Sequence, residues 1–246
     1  MRIAILECEQ ISAAPDPKPG DYSRLFKDLL ETNTDAGRLE LVPYSVYAGE
    51  IPDSVYEYQG YLVTGSYAGV YNDDRWIGPL LRFIRDAHAA GASLAGVCFG
   101  HQAIAQALGG HVEKADAGWG LGVKPTRIVR KLPWMVNGTT PDQVRLIYVH
   151  QDQVVYLPEG AETFARTENC PVAGFTLGET VLGLQGHPEF TPEVTEQIIR
   201  RHQERLPRED VAEALASLAV QTDRSVVAGW IARFFLASPG DQDNHE

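Results

Sequence analysis

Short apolar runs alternate with segments of helical period over the first 110 residues. The run "RIAIL" at the start is continuous and β-type, as in a strand covered on both faces. Helical spacing follows over residues 22–31, which Asp21 can cap, and over "NDDRWIGPLLRFIRDAHAAG", which has acidic residues for a cap and ends at Gly91. Such alternation predicts a parallel sheet flanked by helices. The further predicted strands are "RLELVPYSV", "YQGYLVTGS" and "SLAGV".

The pattern changes from Gly118 onwards, where short strands lie between turns. Two helices are predicted to close the chain, over residues 192–206 and 208–236, with a break near Thr222. We expect a single domain over residues 1–237, a proline-rich loop in "ISAAPDPKPG" and a polar tail over residues 238–246. The strands predicted in this half are "GWGLGVKPTRIVR", "QVRLIYVH", "QVVYLPEG", "AETFARTE", "VAGFTLGE" and "TVLGLQGH".

The net charge, the cysteine content and the N-terminal sequence limit which partners and which cellular compartment we expect for the protein. The 246 residues carry a net charge of −12, which argues against nucleic acid and against an anionic membrane surface. Three scattered cysteines are too few for a disulfide framework, so we expect reduced thiols and a cytoplasmic protein. The N-terminal "MRIAILECEQ" is not a signal peptide, because its apolar run is short and acids follow.

Cys98 lies between two glycines at the point where the fourth apolar run turns into a helix. Residues 93–97 are small and apolar, and residues 101–108 have helical spacing. A strand, a sharp turn carrying a nucleophile and a helix form the nucleophile-elbow pattern, here with cysteine in place of serine. A thiol at a helix N-terminus is stabilised as thiolate by the unpaired N–H groups and the dipole. Alone, the pattern fits a nucleophile and a buried structural cysteine equally well.

The segment "GLQGHPEF" supplies a histidine and a carboxylate. His187 and Glu189 stand two residues apart around Pro188. They point the same way if a strand continues through them, and Pro188 stiffens the turn if the strand ends there. Either arrangement lets His187 act as a base that Glu189 orients. By itself the segment also fits a surface loop, but together with the cysteine elbow it predicts a catalytic triad.

The two motifs "GVCFGHQAIAQALGG" and, about 90 residues later, "GLQGHPEF" resemble the class I glutamine amidotransferase domain in order, spacing and local sequence. The resemblance implies a flavodoxin-like, mostly parallel central sheet flanked by helices, with additional short β-strands in the second half. It also implies nucleophile, base and orienting acid at Cys98, His187 and Glu189. The usual phenylalanine before the histidine is Gly186 here, which is similar to a stand-alone branch of γ-glutamyl peptidases and GMP synthase-like amidotransferases. The family motifs fall on Gly96, Cys98, Gly100, Gln102, His187, Pro188 and Glu189.

The resemblance also implies an oxyanion hole. "VTGSYAGV" occupies the place of the family's oxyanion loop, at Gly65 and Ser66. The backbone N–H groups of Ser66 and Phe99 would then hold the oxyanion. The alternative for Gly65 and Ser66 is a plain β-turn after a strand. In the same loop Tyr67 would lie near the pocket mouth.

Three polar residues are implied to line the substrate pocket. Gln102 follows Cys98 by one helical turn, where the family uses it to hold the substrate; its alternative is an ordinary exposed helix residue. "VHQDQVVYLP" resembles the family's S-H-x-D-x-V-x-x-L-P segment, so His150 and Asp152 would shape the pocket. These two lack a third ligand at a sensible spacing, and we therefore expect no zinc site.

The implied reaction is hydrolysis of the γ-amide of glutamine or of another γ-glutamyl compound through a thioester, with no cofactor. If ammonia leaves, the protein serves a separate acceptor synthetase, because the chain has no G-x-x-x-x-G-K-[ST] motif. If a longer amine leaves, the protein is a γ-glutamyl peptidase that acts alone.

Two alternatives come from other classes of protein, and the position of the acid argues against the first. An α/β-hydrolase with a cysteine elbow requires its acid before its histidine, whereas Glu189 follows His187. A binding or regulatory protein on the same scaffold is compatible with the fold, because fold does not fix function. The oligomeric state does not follow from the sequence.

Overall fold

The computed structural model describes residues 1–10, 21–33, 39–116, 118–135 and 140–237. These ranges hold eleven β-strands and six α-helices. The strands are β1 (Arg2–Glu7), β2 (Glu40–Ser45), β3 (Gly60–Val63), β4 (Ser93–Val97), β5 (His111–Lys114), β6 (Gly120–Ile128), β7 (Gln143–His150), β8 (Asp152–Tyr156), β9 (Ala161–Arg166), β10 (Gly174–Leu177) and β11 (Val181–Leu184). The helices are α1 (Asp21–Asn33), α2 (Ile77–Ala89), α3 (Phe99–Ala107), α4 (Pro192–His202), α5 (Arg208–Ser217) and α6 (Arg224–Leu236).

Nine strands form one mixed sheet in the order β2-β1-β3-β4-β11-β10-β9-β6-β7. The first five pair in parallel, and the remaining neighbours pair antiparallel. The predicted α/β fold with a parallel core is confirmed. The short strands of the second half extend the same sheet, and β5 and β8 form a separate two-stranded ribbon.

The central strands are buried because helices cover both faces of the sheet. Every residue of β3, β4 and β11 is buried, as expected for continuous apolar runs in a parallel core. Helices α1 and α6 pack on one face, through side chains such as Phe26 and Trp230. Helices α2 and α3 pack on the other, through side chains such as Ile84 and Ile104.

Two predicted helix boundaries differ in the structure: α4 ends at His202 and not at residue 206, and α2 starts without the predicted cap. Helix α2 begins at Ile77 and has no side-chain cap, so the predicted acidic cap is wrong; Asp74 contributes only its carbonyl, which accepts from the Ile77 N–H. Gly91, at φ +78°, lies just beyond that helix, as the predicted stop requires. The predicted break near Thr222 is confirmed between α5 and α6. The proline-rich loop and the polar tail lie outside the described residues.

The topology brings four segments of distant sequence together at one edge of the sheet. Strands β1, β3, β4 and β11 are parallel, so the segments that follow them meet at their carboxyl ends. In open α/β sheets, ligands bind at this edge. Within the described ranges, no helix combines the length and the apolarity that crossing a bilayer demands.

Candidate active site

Cys98 is the single residue between β4 and α3, and its backbone conformation is strained. Its φ of 52° is the one positive φ at a non-glycine residue in the part of the chain that the structure describes. Such strain persists only where surrounding structure enforces it, often at functional sites. A Cβ on Gly96 would lie 2.4 Å from the Gly100 carbonyl, and one on Gly100 would lie 2.1 Å from the Val63 carbonyl oxygen. The two glycines therefore let strand, turn and helix pack closely enough to form the predicted elbow.

Cys98 is the N-cap residue of α3, next to the backbone donors that a helix start leaves unpaired within the helix. The first bond of the helix runs from the Gln102 N–H to the Cys98 carbonyl, over 3.1 Å. The amide of Phe99 therefore precedes the helical ladder and belongs to the donors that a helix start leaves unpaired within the helix. The Phe99 ring lies in the core, 5.3 Å from the ring of Trp76. The helix is thus anchored by apolar packing, with Cys98 as its N-cap residue.

His187 and Glu189 form a buried pair beyond the end of β11. The distance from His187 Nδ1 to Glu189 Oε1 is 2.7 Å, and both side chains are buried. The strand ends at Leu184, so the two residues lie in a turn after it. The ring of His187 stacks on Phe190 at 4.0 Å between centroids. The backbone N–H of His187 donates to the Ile147 carbonyl of β7 over 2.7 Å.

The charges around His187 favour its protonated form. Burial lowers the pKa of His187, but the charges of Glu189 and Cys98, together with hydrogen bonds to both, raise it to about 10. Because Nδ1 is engaged by Glu189, Nε2 is the nitrogen left for Cys98. Cys98 and His187 border the same cleft, so the three predicted residues lie at one site, and their roles as nucleophile, base and acid stay a prediction.

The loop after β3 closes over the histidine. A Cβ on Gly65 would lie 2.7 Å from the Tyr22 hydroxyl and 3.1 Å from His187 Cε1, so the backbone of this loop passes directly beside the ring. Two residues further along this loop, the backbone N–H of Tyr67 donates to Glu9 Oε2 over 2.5 Å. The loop that carries Ser66 is therefore fixed from both sides.

The polar residues predicted to shape the pocket form a network of their own. Gln102 is buried, and its Nε2 donates to the Asp152 carbonyl over 2.7 Å and to Gln185 Oε1 over 3.1 Å. The Asp152 carboxylate accepts from the Tyr71 hydroxyl over 2.8 Å. Burial, with the charges of His187 and His101, lowers the pKa of His150 to about 3, which keeps it neutral.

Two compartments of one cleft meet at Cys98. The His187 compartment, about 70 Å³, is bordered by Glu9, Tyr22, His187, Phe190 and Arg201. The Gln102 compartment, about 250 Å³, is bordered by Tyr71, Gln102, Trp119, His150 and Asp152. Ser66, Tyr67, Cys98, Val149, Ile198 and His202 line both.

Several contacting residues were not predicted from the sequence. Arg224, at the start of α6, donates from Nε to the Pro188 carbonyl over 3.1 Å and from Nη2 to the Glu189 carbonyl over 3.2 Å. Glu9 and Tyr22 reach the cleft from the segments after β1 and in α1. These residues lie far from the motifs in sequence, and only the folded topology brings them to the site. Among the described residues, no three His, Cys, Asp or Glu side chains cluster in a way that could hold a metal ion.

The family model described as glutamine amidotransferase class-I matches residues 22–204 of the chain. The chain belongs to the class I glutamine amidotransferase family. The chain is similar to gamma-glutamyl peptidase 4 of Arabidopsis thaliana, with 32% identity over 187 residues. The match spans 74% of the chain and 73% of the plant protein. Gamma-glutamyl peptidase 5 of the same plant is 32% identical over 163 residues, and the match spans 64% of the chain and 65% of the plant protein.

Solved structures show that this amidotransferase-family chain shares its fold with proteins of low sequence identity. A crystal structure of a glutamine amidotransferase from Thermotoga maritima matches with a TM-score of 0.74 at 18% sequence identity. The match covers 95% of this chain and 97% of that chain. At this identity the likeness concerns the fold alone.

Proposed function

We propose that the protein hydrolyses the γ-amide bond of glutamine or of a γ-glutamyl compound through a thioester on Cys98. The observation that carries this proposal is the buried His187–Glu189 pair, 2.7 Å apart, beside a cysteine at φ 52° on a helix N-terminus. The arrangement supplies a nucleophile, a base and an orienting acid, the three parts that nucleophilic catalysis requires. The family and its γ-glutamyl peptidase relatives support the same class of reaction.

In the first half-reaction the Cys98 thiolate attacks the γ-carbonyl carbon, and a C–S bond forms while the carbonyl oxygen takes up the negative charge. The amides of Ser66 and Phe99 stabilise this oxyanion. His187, protonated, gives its proton to the amide nitrogen, the C–N bond breaks, and the amine leaves. Glu189 keeps the imidazole oriented and stabilises its cation throughout.

In the second half-reaction water attacks the γ-glutamyl thioester. His187, now neutral, accepts a proton from that water, and the C–S bond breaks. Glutamate is released and Cys98 returns to its thiolate beside a protonated His187. No cofactor takes part in either half-reaction.

We infer that the preferred substrates are γ-glutamyl compounds and that the protein acts without a synthetase. Gly186 supports this inference, because it stands where amidotransferases of the family usually carry phenylalanine. A Cβ at that position would lie 2.9 Å from the Tyr148 ring and 3.1 Å from Leu146 Cβ, so β7 packs too closely for a larger side chain. The second candidate, a glutaminase that supplies ammonia to a separate acceptor synthetase, uses the same chemistry and is favoured by the family match itself.

Release of glutamate from a panel of substrates separates these candidates. The purified protein should be offered glutamine and several γ-glutamyl dipeptides at equal concentrations. We expect kcat/KM for the dipeptides to exceed that for glutamine by more than about tenfold, or about 1.4 kcal/mol in transition-state binding. Negligible activity on every substrate, restored by a co-purifying synthetase, would contradict independent action and favour the glutaminase.

A further inference from the structure

The two compartments that meet at Cys98 differ in the polar side chains that border them. His187 borders the smaller one, whereas Gln102 and Asp152 border the larger one. If His187 protonates the departing nitrogen, that nitrogen must lie within hydrogen-bond reach of its ring. The departing amine therefore occupies the His187 compartment, and the γ-glutamyl group occupies the Gln102 compartment, whose volume is more than three times as large.

Charged groups of both signs border the His187 compartment. Glu9 borders it, and its carboxylate accepts the Tyr67 N–H over 2.5 Å. Burial raises the pKa of Glu9 to about 7, against the hydrogen bond from Tyr67, so a nearby ammonium would favour its ionised form. Arg201 lies at the mouth, in the last turn of α4, and its side chain is exposed.

The guanidinium of Arg201 is available to a ligand. Its neighbour Arg200 is paired with Glu196 over 2.7 Å, whereas no acidic side chain within the described part of the chain forms an ion pair with Arg201. The ring of Tyr67 stacks on His202 at 4.7 Å beside this mouth, so an aromatic wall adjoins the cation. In a chain with a net charge of −12, a cation left unpaired at the mouth of the cleft marks a site for an anionic group.

We propose that the His187 compartment is a leaving-group subsite that selects an amine carrying a free carboxylate, such as an amino acid or a short peptide. Arg201 contacts that carboxylate, and Glu9 lies beside the departing nitrogen. Ammonia has no carboxylate and would gain nothing from Arg201. The proposal rests on the proposed γ-glutamyl hydrolysis and specifies its substrate class.

The test compares three substrates that differ only beyond the scissile bond: γ-glutamyl-alanine, γ-glutamyl-alaninamide and glutamine. We expect the wild-type protein to prefer the free carboxylate over its amide by about fivefold in kcat/KM, the size of an exposed ion pair. Arg201→Ala should reduce this ratio to about one, and Arg201→Lys should retain most of it. The matched control Arg200→Ala removes a neighbouring guanidinium outside the cleft and should leave the ratio unchanged.

The role of Glu9 has a separate readout. Free alanine, the departing amine of γ-glutamyl-alanine, should inhibit the wild-type protein. Glu9→Gln keeps an acceptor for the Tyr67 N–H but loses the charge, so it should raise the inhibition constant of alanine about threefold. An unchanged inhibition constant would overturn this role of Glu9.

Failure of the subsite and failure of the proposed function give different results. Equal kcat/KM for γ-glutamyl-alanine and γ-glutamyl-alaninamide in the wild-type protein would overturn the subsite and leave γ-glutamyl hydrolysis standing. A ratio that survives in Arg201→Ala would overturn the assignment of Arg201. A wild-type protein that hydrolyses none of the three compounds would contradict both the subsite and the function on which it rests.

Discussion

At the residue scale, Cys98 is the side chain on which the proposed chemistry depends first. Cys98→Ala should abolish glutamate release and labelling by the glutamine-like electrophile diazo-oxo-norleucine, because the alanine methyl group cannot form a thioester. The free energy of unfolding should change by less than about 1 kcal/mol, since one small side chain replaces another. Cys170→Ala, at a buried cysteine that does not line the cleft, is the matched control and should retain both activity and labelling. Labelling that persists in Cys98→Ala and maps to Cys8 would refute the elbow assignment.

Loss of the base His187 should reduce kcat more than loss of the acid Glu189. His187→Ala should reduce kcat about as severely as Cys98→Ala, because the residues of a triad act as a unit and their losses do not add. Glu189→Gln keeps the imidazole and should be less damaging by about tenfold to a hundredfold. Single-turnover measurements of glutamate release would rank the variants. Equal loss in Glu189→Gln and His187→Ala would show that the acid does more than orient the base.

The buried histidines should titrate far apart. His187 has its pKa raised to about 10 despite burial, whereas burial lowers the pKa of His101 and of His150 to about 3. NMR titration of the imidazole resonances should show His187 protonated and the other two neutral at pH 7. In Cys98→Ala the pKa of His187 should fall, because one of the charges that raise it is lost. A His187 that is neutral at pH 7 in the wild-type protein would contradict the ion-pair geometry.

The same shift has a consequence for stability. The pKa of His187 in the folded protein lies above its ordinary value of 6.5. Its protonation therefore stabilises the fold fully below pH 6.5, and the contribution is lost as the pH rises through about 10. Urea unfolding should show a steeper decline in the free energy of unfolding between pH 6.5 and 10 for the wild-type protein than for His187→Gln.

Most of the triad geometry follows from the sequence, but the residues that hold the surrounding loops in place do not. The G-x-C-x-G and H-P-E patterns are local, and each places its reactive side chain through backbone constraints of a few neighbouring residues. Glu9 and Tyr71 bear no such pattern, because their contacts with Tyr67 and Asp152 depend on which strands become neighbours. A lone acid after a strand and a tyrosine in a loop carry no signal in a single sequence.

At the element scale, helix α6 supports the turn that carries the acid. Arg224→Ala removes two hydrogen bonds to the backbone of Pro188 and Glu189 and should lower kcat about tenfold, with KM less affected. Arg233→Ala on the same helix is the matched control, because Arg233 Nε donates to the Trp134 carbonyl over 2.7 Å, outside the cleft. Both variants should lower Tm, but Arg233→Ala should leave kcat unchanged. An unchanged kcat in Arg224→Ala would show that α6 does not support the turn that carries Glu189.

The start of helix α2 shows that core packing can override a local capping signal in the sequence. The acids before α2 suggested a cap, yet the helix starts at Ile77, where its first apolar side chains reach the core. Packing of the apolar face decides this start, since capping contributes about 1 kcal/mol and core burial more. Strand β5 escaped prediction because its four residues, three of them exposed, have little apolar pattern.

At the scale of the whole molecule, the mixed sheet explains how the second half completes the site. The antiparallel extension folds back so that β7 lies beside the turn after β11, where Ile147 binds the backbone of His187. The alternation of strands and helices predicted the parallel core. It could not predict the order β10-β9-β6-β7, because that order is set by long-range pairing. The boundaries of a single domain over residues 1–237 stay a prediction.

The proposed hydrolysis passes through a covalent γ-glutamyl thioester on Cys98, which can be trapped during turnover. The wild-type protein should be mixed with γ-glutamyl-alanine, quenched in acid during turnover, digested and analysed by peptide mass spectrometry. The account predicts that the peptide containing Cys98 gains the mass of one γ-glutamyl group, and that the adduct is absent from Cys98→Ala. Turnover without any adduct on Cys98, or an adduct on Cys8 or Cys170 instead, would contradict it.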